Sequence, residues 1–315
     1  MVIILPSAVI ENDLPNFLAT IWHPVEGTTL SFDFSRVVFY IPAAVTMLIA
    51  RIDHAQRSGV KGALIGLKEC KSFQYLQRID FFDQLGIELP EDFERHDAGN
   101  AFVPLREVVP EPVSVRDDPL SCELAKCVAD ADSGDVYLLS QYSLGEIIAN
   151  LKQHACERGF VCAQYTPKSD LVRIGLADSG IGIRQSFRDG GAPKYREEMS
   201  DSQVLDLALS LWGSSKAHKV GAYGGSQNRG VGLTITRFMV AESYGHFFIA
   251  SGRAWWFRDG LKPPVSGVFS NTAVQGTVLS LGYQRHHVNN YAVLRAQAWE
   301  ALGLTKPETE STLFT

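Results

Sequence analysis

Three polar residues spaced four apart, Glu146, Asn150 and His154, are the first group in the sequence whose types could do chemistry together. On a helix, residues four apart lie on one face, so these side chains would form a single stripe. An amide oxygen can ligate Mg²⁺, and a neighbouring carboxylate can accept a proton from a nucleophile. The stripe therefore fits magnesium–phosphate chemistry, while the wet face of an ordinary amphipathic helix has the same spacing.

A second candidate is a carboxylate at a strand end with glycines directly after it. The pattern predicts a strand over 171–177, followed by Asp178, Gly180 and Gly182. Glycine lets the backbone approach a ligand closely, and a carboxylate there can accept a hydrogen bond from an exocyclic amine. A plain β-turn has a similar composition, so this motif is weak when it stands alone.

A third candidate is the glycine-rich run 223–232, which ends in Gly230 and Gly232 and leads into a helical pattern from Leu233. Free backbone amides at a helix N-terminus form a ready phosphate site. The run is not a Walker loop, because no Gly-Lys-Ser/Thr follows. It is not a Rossmann fingerprint either, because no strand directly precedes the glycines.

A fourth element, Gly276-Thr277, opens a strand and brings one hydroxyl. Together and in this order, the four elements resemble the GHKL nucleotide-binding family, which includes gyrase, the heat-shock chaperone ATPase, histidine kinases and the MutL mismatch-repair protein. The resemblance covers about residues 120–283. It implies a two-layer α/β sandwich, the Bergerat-type ATP-binding fold, with ATP and magnesium as cofactors.

The resemblance also implies a role for each matching residue. The stripe is similar to the N box of anti-sigma-factor serine kinases, in which Glu146 would be the general base and Asn150 would ligate magnesium. Asp178 would accept from the adenine amino group, with Thr277 beside it. The remaining cofactor-binding positions are His154, Gly180, Gly182, Gly230, Gly232 and Leu233.

The segment from Arg184 to Arg229 would then be the lid over ATP, with a helix from about Asp201 to Trp212. One basic residue of this segment could reach the γ-phosphate, and the sequence leaves open which one. The candidates are Arg184, Arg188, Lys194, Arg196, Lys216, Lys219 and Arg229.

The elements before this region alternate between strand and helix patterns. Apolar alternation predicts a strand over 30–34, and helical spacing predicts a helix from Pro42 to about Ser58. A buried strand is expected over 60–67, and then a helix capped by Ser72 and continuing to Gly86. This order implies a small α/β layer fold.

The N-terminal segment 32–42 and its strand–helix order resemble a STAS domain, the fold of anti-anti-sigma factors. Those proteins carry a phosphorylatable serine at the start of the first helix, whereas here residues 41–45 at the helix start carry no hydroxyl before Thr46. We therefore expect a docking or regulatory module that binds a protein partner, not a phosphoacceptor. The proline-rich stretch from Glu88 to Asp118 is predicted to be a linker.

The amino-acid composition limits the classes of protein to which this chain could belong. Hydrophobic residues make up 45% and charged residues 20% of the 315 residues, which is typical of folded globular chains. The formal net charge of −6 makes nucleic acid an unlikely partner. With five cysteines in no zinc-ligand spacing, no secretion signal and no long apolar stretch, we expect a cytoplasmic protein that does not bind membranes.

These observations predict a STAS-like domain over 1–115, a GHKL ATP-binding domain over 116–285, and a C-terminal helix with a frayed tail over 286–315. One function is ATP hydrolysis or serine phosphotransfer, with Glu146 as the base. The alternative is a nucleotide-gated interaction switch with little or no catalysis. Either function is compatible with a homodimer. A third function, sensor histidine kinase, is disfavoured because no phosphoacceptor helix precedes residue 120.

Overall fold

The computed structural model describes residues 1–25, 27, 29–95, 102–111, 118–210 and 231–303. Over these residues the chain has a mixed α/β fold whose strands form sheets of three, seven and two strands. None of the helices in the described ranges combines the length and the apolar character needed to cross a membrane.

Residues 1–95 form what we call the N-terminal module. Its strands and helices are β1 (Val2–Ile4), β2 (Ala8–Val9), α1 (Leu14–Ile21), β3 (Thr29–Asp33), β4 (Phe39–Tyr40), α2 (Pro42–Arg57), β5 (Lys61–Ile65) and α3 (Phe73–Arg78). The order of the parallel sheet is β1-β3-β5, and β2 pairs with β4. Leu30, Phe32 and Phe34 are buried, which confirms the alternation predicted for this strand. Pro42 begins α2, where its fixed φ suits the first helical turn.

Three details of this module differ from the sequence prediction. Strand β5 lies at a sheet edge and is largely exposed, not buried. Helix α3 ends at Arg78 and does not continue to Gly86, because Asp80 takes a left-handed conformation with φ 61°. Ser72 makes no cap hydrogen bond; its hydroxyl donates to the Val38 carbonyl.

The remaining described residues build a seven-stranded sheet in the order β11-β10-β9-β12-β8-β7-β6. The elements are β6 (Phe102–Val108), α4 (Pro119–Ala129), α5 (Asp135–His154), β7 (Gly159–Thr166), β8 (Leu171–Asp178), α6 (Gly182–Gly190), α7 (Asp201–Ala208), α8 (Gly232–Glu242), β9 (His246–Gly252), β10 (Ala254–Asp259), β11 (Val265–Val268), β12 (Val274–Gln284) and α9 (Tyr291–Ala301). The predicted strand over 171–177 and the predicted C-terminal helix are confirmed.

Strand β6 lies inside the stretch predicted to be a linker, so that prediction is wrong for residues 102–108. It pairs antiparallel with β7 at the edge of the sheet, and the register shifts between Val103 and Arg106. Pro104 lies at this irregularity, where a missing N–H disturbs the ladder least. The proline therefore interrupts the sequence pattern that would predict a strand, although the strand forms in the structure.

The two faces of the large sheet pack against different parts of the chain. On the front face, α5 and α8 cover alternate residues such as Ile174 and Leu176. On the back face, residues including Cys162 and Ala177 join one continuous hydrophobic core with the N-terminal module. Helix α2 supplies this contact, since it packs against β7, β8 and β12. The N-terminal module is therefore attached to the sheet by a buried apolar surface.

The closest approach in this interface is at Gly175 of β8. A Cβ on Gly175 would lie 2.4 Å from both the backbone nitrogen and the Cα of Ala43 in α2. Backbone atoms cannot move aside as a flexible side chain can. We expect Gly175→Ala to lower the free energy of unfolding by about 3 kcal/mol, the upper range for overpacking. Denaturant titration measures this, and Ala63→Ser on exposed β5 serves as the control. Equal stability of the two variants would contradict the tight packing of α2.

Candidate functional site

Helix α5 carries the polar stripe that the sequence predicts. Glu146, Asn150 and His154 all line one cavity on the front of the sheet. The helix is anchored by its other faces, where Leu144 and Ile148 are fully buried in the front core. The stripe is therefore the wall of a pocket and not a solvated helix face.

Asp178 ends β8 and is buried, with 3% of its surface exposed. The Gly180 N–H donates to its Oδ1 at 2.8 Å, and the Ile181 N–H donates to the Ala155 carbonyl at 3.0 Å. A Cβ on Gly180 would lie 1.9 Å from that same carbonyl oxygen. Glycine is thus required where the turn after β8 presses against the end of α5.

Strand β12 closes the other side of this carboxylate. Gly276 has φ 80°, and a Cβ there would lie 2.5 Å from Asp178 Oδ1. The next residue, Thr277, lines the cavity. The Ser251 hydroxyl donates to the Gly276 carbonyl at 2.7 Å and accepts from the Ile183 N–H at 3.1 Å. Through these bonds Ser251 of β9 connects the start of β12 with the turn that follows β8.

The N-terminus of α8 lies directly against Glu146. A Cβ on Gly232 would lie 1.8 Å from Glu146 Oε2, so any larger residue would displace the carboxylate. Leu233, the next residue of α8, also lines the cavity. The free amides of a helix N-terminus favour negative charge, from a carboxylate or from phosphate.

Most of the predicted site residues therefore meet in one place. Gly180 lies behind the cavity wall, and Gly230 lies outside the described residues. The predicted residues that line the cavity are Glu146, Asn150, His154, Asp178, Gly182, Gly232, Leu233 and Thr277. The cavity contains about 860 Å³ of empty space, counted out to its open mouth.

Burial raises the pKa of two carboxyl groups in this cavity. The pKa of Glu146 rises to about 7 because the group is withdrawn from water, and the positive charge of Arg295 partly opposes this. The pKa of Asp178 also rises to about 7 through burial, opposed by the backbone N–H bonds from Gly180 and Thr277. Two carboxyls whose pKa lies near neutrality in one cavity are typical of a functional site.

The sequence did not point to the contribution of α9. Arg295 lies over the Tyr142 ring, with 5.6 Å between the guanidinium carbon and the ring centroid. Tyr291, one turn earlier, lies in the same electrostatic cluster as Glu146. Tyr142 and Glu146 on α5 are spaced i and i+4, as are Tyr291 and Arg295 on α9. Only this matching spacing on two distant helices could have indicated the pair.

Helix α6 was also not predicted, and it adds an apolar wall to the cavity through Ile183 and Phe187. The signal available in the sequence was the pair of glycines that bound it. Gly182 begins the helix, and Gly191 follows it in a left-handed conformation with φ 65°, a common helix end.

The predicted lid helix begins at Asp201 as expected and ends at Ala208; Trp212 lies outside the described residues. Three of the seven basic candidates have structural partners. Arg184 pairs with Asp201 at 2.7 Å, Arg188 pairs with Glu197, and Arg196 donates to nearby carbonyls. Lys216, Lys219 and Arg229 lie in the part of the chain that the structure does not describe.

Asn150 presents to the cavity an amide, whose oxygen is a type of ligand that Mg²⁺ binds. Over the described residues no group of three or more His, Cys, Asp or Glu could hold a metal by itself. Mg²⁺ usually binds through one or two protein oxygens, waters and substrate phosphates, so such a group is not needed.

No protein-family model matches this chain, and no curated protein sequence matches it either.

Proposed function

We propose that this chain is a GHKL-type protein that binds ATP with magnesium in the cavity between α5, α8 and the large sheet. One observation carries the proposal: residues from four separate sequence segments, singled out by their motifs, line the same cavity. A sheet with α5 and α8 on its front face is also what a Bergerat-type sandwich requires. These segments are a helix face, the turn after a strand, a helix N-terminus and a strand, and only the fold brings them to one pocket.

Each end of the cavity suits a different part of ATP. Asp178 accepts from the Gly180 and Thr277 N–H groups, and a carboxylate has lone pairs left to accept from an exocyclic amine such as that of adenine. At the other end, Gly232 and the N-terminus of α8 offer amides for phosphate oxygens. Asn150 lies between these ends and would hold the magnesium ion, which supplies charge neutralisation at the phosphates when bound.

Glu146 is the group best placed to accept a proton. Its carboxylate lies against the α8 N-terminus, one helical turn before Asn150. There it can take the proton of an attacking water or of a serine hydroxyl as that oxygen bonds to the terminal phosphorus and the bond to the bridging oxygen breaks, with ADP as the leaving group. A pKa near 7 suits a base that works at neutral pH, because the group is then part ionised and still basic.

The nature of the acceptor separates hydrolysis from serine phosphotransfer. The N-terminal module would present a protein partner in the second case. Thr46, the first hydroxyl of α2, is fully buried and donates to the Ala43 carbonyl, so it is a poor phosphoacceptor. The alternative remains a nucleotide-gated switch, which is favoured by the direct contact between Arg57 of α2 and Ser179 beside Asp178.

Incubation of the purified chain with γ-labelled ATP and magnesium distinguishes these functions. Released phosphate indicates hydrolysis, label on an added partner protein indicates phosphotransfer, and bound nucleotide without either indicates the switch. A chain that binds no ATP would contradict the proposal as a whole.

The pKa of Glu146 predicts a pH dependence of turnover. Below about pH 7 the carboxyl is protonated and cannot accept a proton, so turnover should rise with pH to a plateau above about 7. Since the charge of Arg295 lowers this pKa, Arg295→Ala should move the midpoint to higher pH. The pH profile of kcat measures both. Arg106→Ala, which removes a guanidinium paired with Glu123 outside the cavity, is the control. An unchanged midpoint in Arg295→Ala would contradict this role.

A further inference from the structure

Arg57, the last residue of α2, reaches from the N-terminal module to the candidate nucleotide cavity. Its Nε donates to Asp53 Oδ2 at 2.8 Å within the same helix. Its Nη1 donates to Glu157 Oε2 at 2.7 Å, and its Nη2 donates to Ser179 Oγ at 2.6 Å. One planar guanidinium thus joins three elements, a geometry that a lysine ammonium on a flexible stem does not reproduce.

Both distant partners of Arg57 lie beside residues that line the cavity, Asp178 and Ala155. Ser179 is buried and lies between Asp178 and Gly180 in the turn after β8. Glu157 follows the end of α5, two residues after Ala155, whose carbonyl accepts from Ile181 in that same turn. The arginine therefore holds the two chain segments that meet beneath Asp178.

Asp53, the partner of Arg57 within α2, is itself held in place by other residues. Asp53 is 1% exposed and also accepts from Arg158 Nε at 3.0 Å and Nη2 at 2.5 Å. Arg158 in turn donates to Glu107 of β6 at 2.9 Å. Hydrogen bonds between ionised partners in a partly buried network are stronger than neutral ones. The network locks the C-terminal end of α2 onto the sheet beside the cavity.

We propose that Arg57 is a positioning residue for the nucleotide, which makes the N-terminal module a structural part of the site: Arg57 holds the turn from Asp178 to Gly182 in the shape that accepts the base. This inference rests on the proposed function. The N-terminal module then controls nucleotide affinity directly, in addition to any partner that it docks.

Removal of the guanidinium should loosen the turn and weaken binding. We expect Arg57→Ala to raise the Kd for ATP about tenfold, the usual effect of losing a hydrogen bond to a charged group. Arg57→Lys should recover only part of this, because one ammonium cannot reach all three partners. Ser179→Ala removes the acceptor alone and should give a similar loss, so a folding defect in Arg57→Ala would not leave the proposal undecided.

A matched control separates positioning from simple docking of the module. The Glu11–Arg173 pair at 2.6 Å also joins the N-terminal module to β8, but at the end of the strand opposite Asp178. Glu11→Gln should therefore leave the Kd for ATP unchanged. Equal losses in Glu11→Gln and Arg57→Ala would overturn the positioning role.

Hydrogen exchange of the nucleotide-free chain gives a readout that does not depend on ATP. Exchange at Gly180 and Ile181 should rise about tenfold in Arg57→Ala and stay unchanged in Glu11→Gln, since an opened turn releases both amides. If the wild type binds ATP and Arg57→Ala binds it equally well with unchanged exchange, the inference fails and the proposed function stands. If the wild type binds no ATP, both fail.

Discussion

Glu146→Gln is expected to bind ATP with a Kd within about threefold of the wild type while turnover falls by about 10²–10⁴, the range that general-base catalysis contributes. The amide keeps the shape of the carboxylate that lies against Gly232, so the cavity wall is retained. An amide nitrogen cannot accept a proton, so the attacking oxygen keeps its own. Phosphate release under saturating ATP gives kcat, and an equilibrium titration gives Kd.

Glu123→Gln is the matched control for this variant, because Glu123 is a glutamate that pairs with Arg106 outside the cavity. Its turnover should equal that of the wild type. Unchanged turnover in Glu146→Gln would remove Glu146 from the chemistry. Lost ATP binding would instead show that the carboxylate holds the nucleotide and is not the base.

The second large effect is expected at Asp178. Because the Gly180 N–H donates to Oδ1, an asparagine side chain at this position would keep its amide oxygen there and turn its NH₂ group toward the ligand. Two donors would then face each other at the adenine amino group. We expect Asp178→Asn to weaken ATP binding by at least about 100-fold, since an unpaired buried polar group costs several factors of ten.

The same substitution should change the preference between bases. Guanine carries a carbonyl where adenine carries the amine, and the new NH₂ group can donate to it. The Kd for GTP divided by the Kd for ATP should therefore fall in Asp178→Asn. A general loss of structure would not change this ratio. Asp189→Asn on α6, outside the cavity, should leave both Kd values unchanged. Equal weakening of ATP and GTP would contradict direct base recognition.

Local patterns in the sequence were sufficient for several elements, including β3, α2 and β8. The stripe on helix α5 follows from spacing alone, because Leu144 and Ile148 face the core while Glu146 and Asn150 face the cavity. Strand β6 was missed because Pro104 breaks its alternation, and the bulge that accommodates the proline is set by pairing with β7. Helix α3 stops early because Asp80 adopts a backbone conformation that periodicity does not reveal.

The residues of the candidate site also divide into those that the sequence identifies and those that only the folded structure reveals. The four motifs are short and contiguous, so their residues could be named from the sequence. Arg57 and Arg295 come from helices distant along the chain, and their positions beside Ser179 and Glu146 arise from tertiary packing. A surface arginine is the ordinary expectation for either residue, and nothing local distinguishes them. Only the folded chain brings these two side chains to the site.

The central claim is that the cavity binds ATP with magnesium, and calorimetric titration of the purified chain tests it most directly. The account predicts saturable binding of one ATP per chain, tightened by Mg²⁺, and loss of that magnesium effect in Asn150→Ala. Gln141→Ala, on the same helix but outside the cavity, should bind as the wild type does. No binding by the wild type at ATP concentrations up to about 1 mM, the upper range of ordinary substrate affinities, would contradict it.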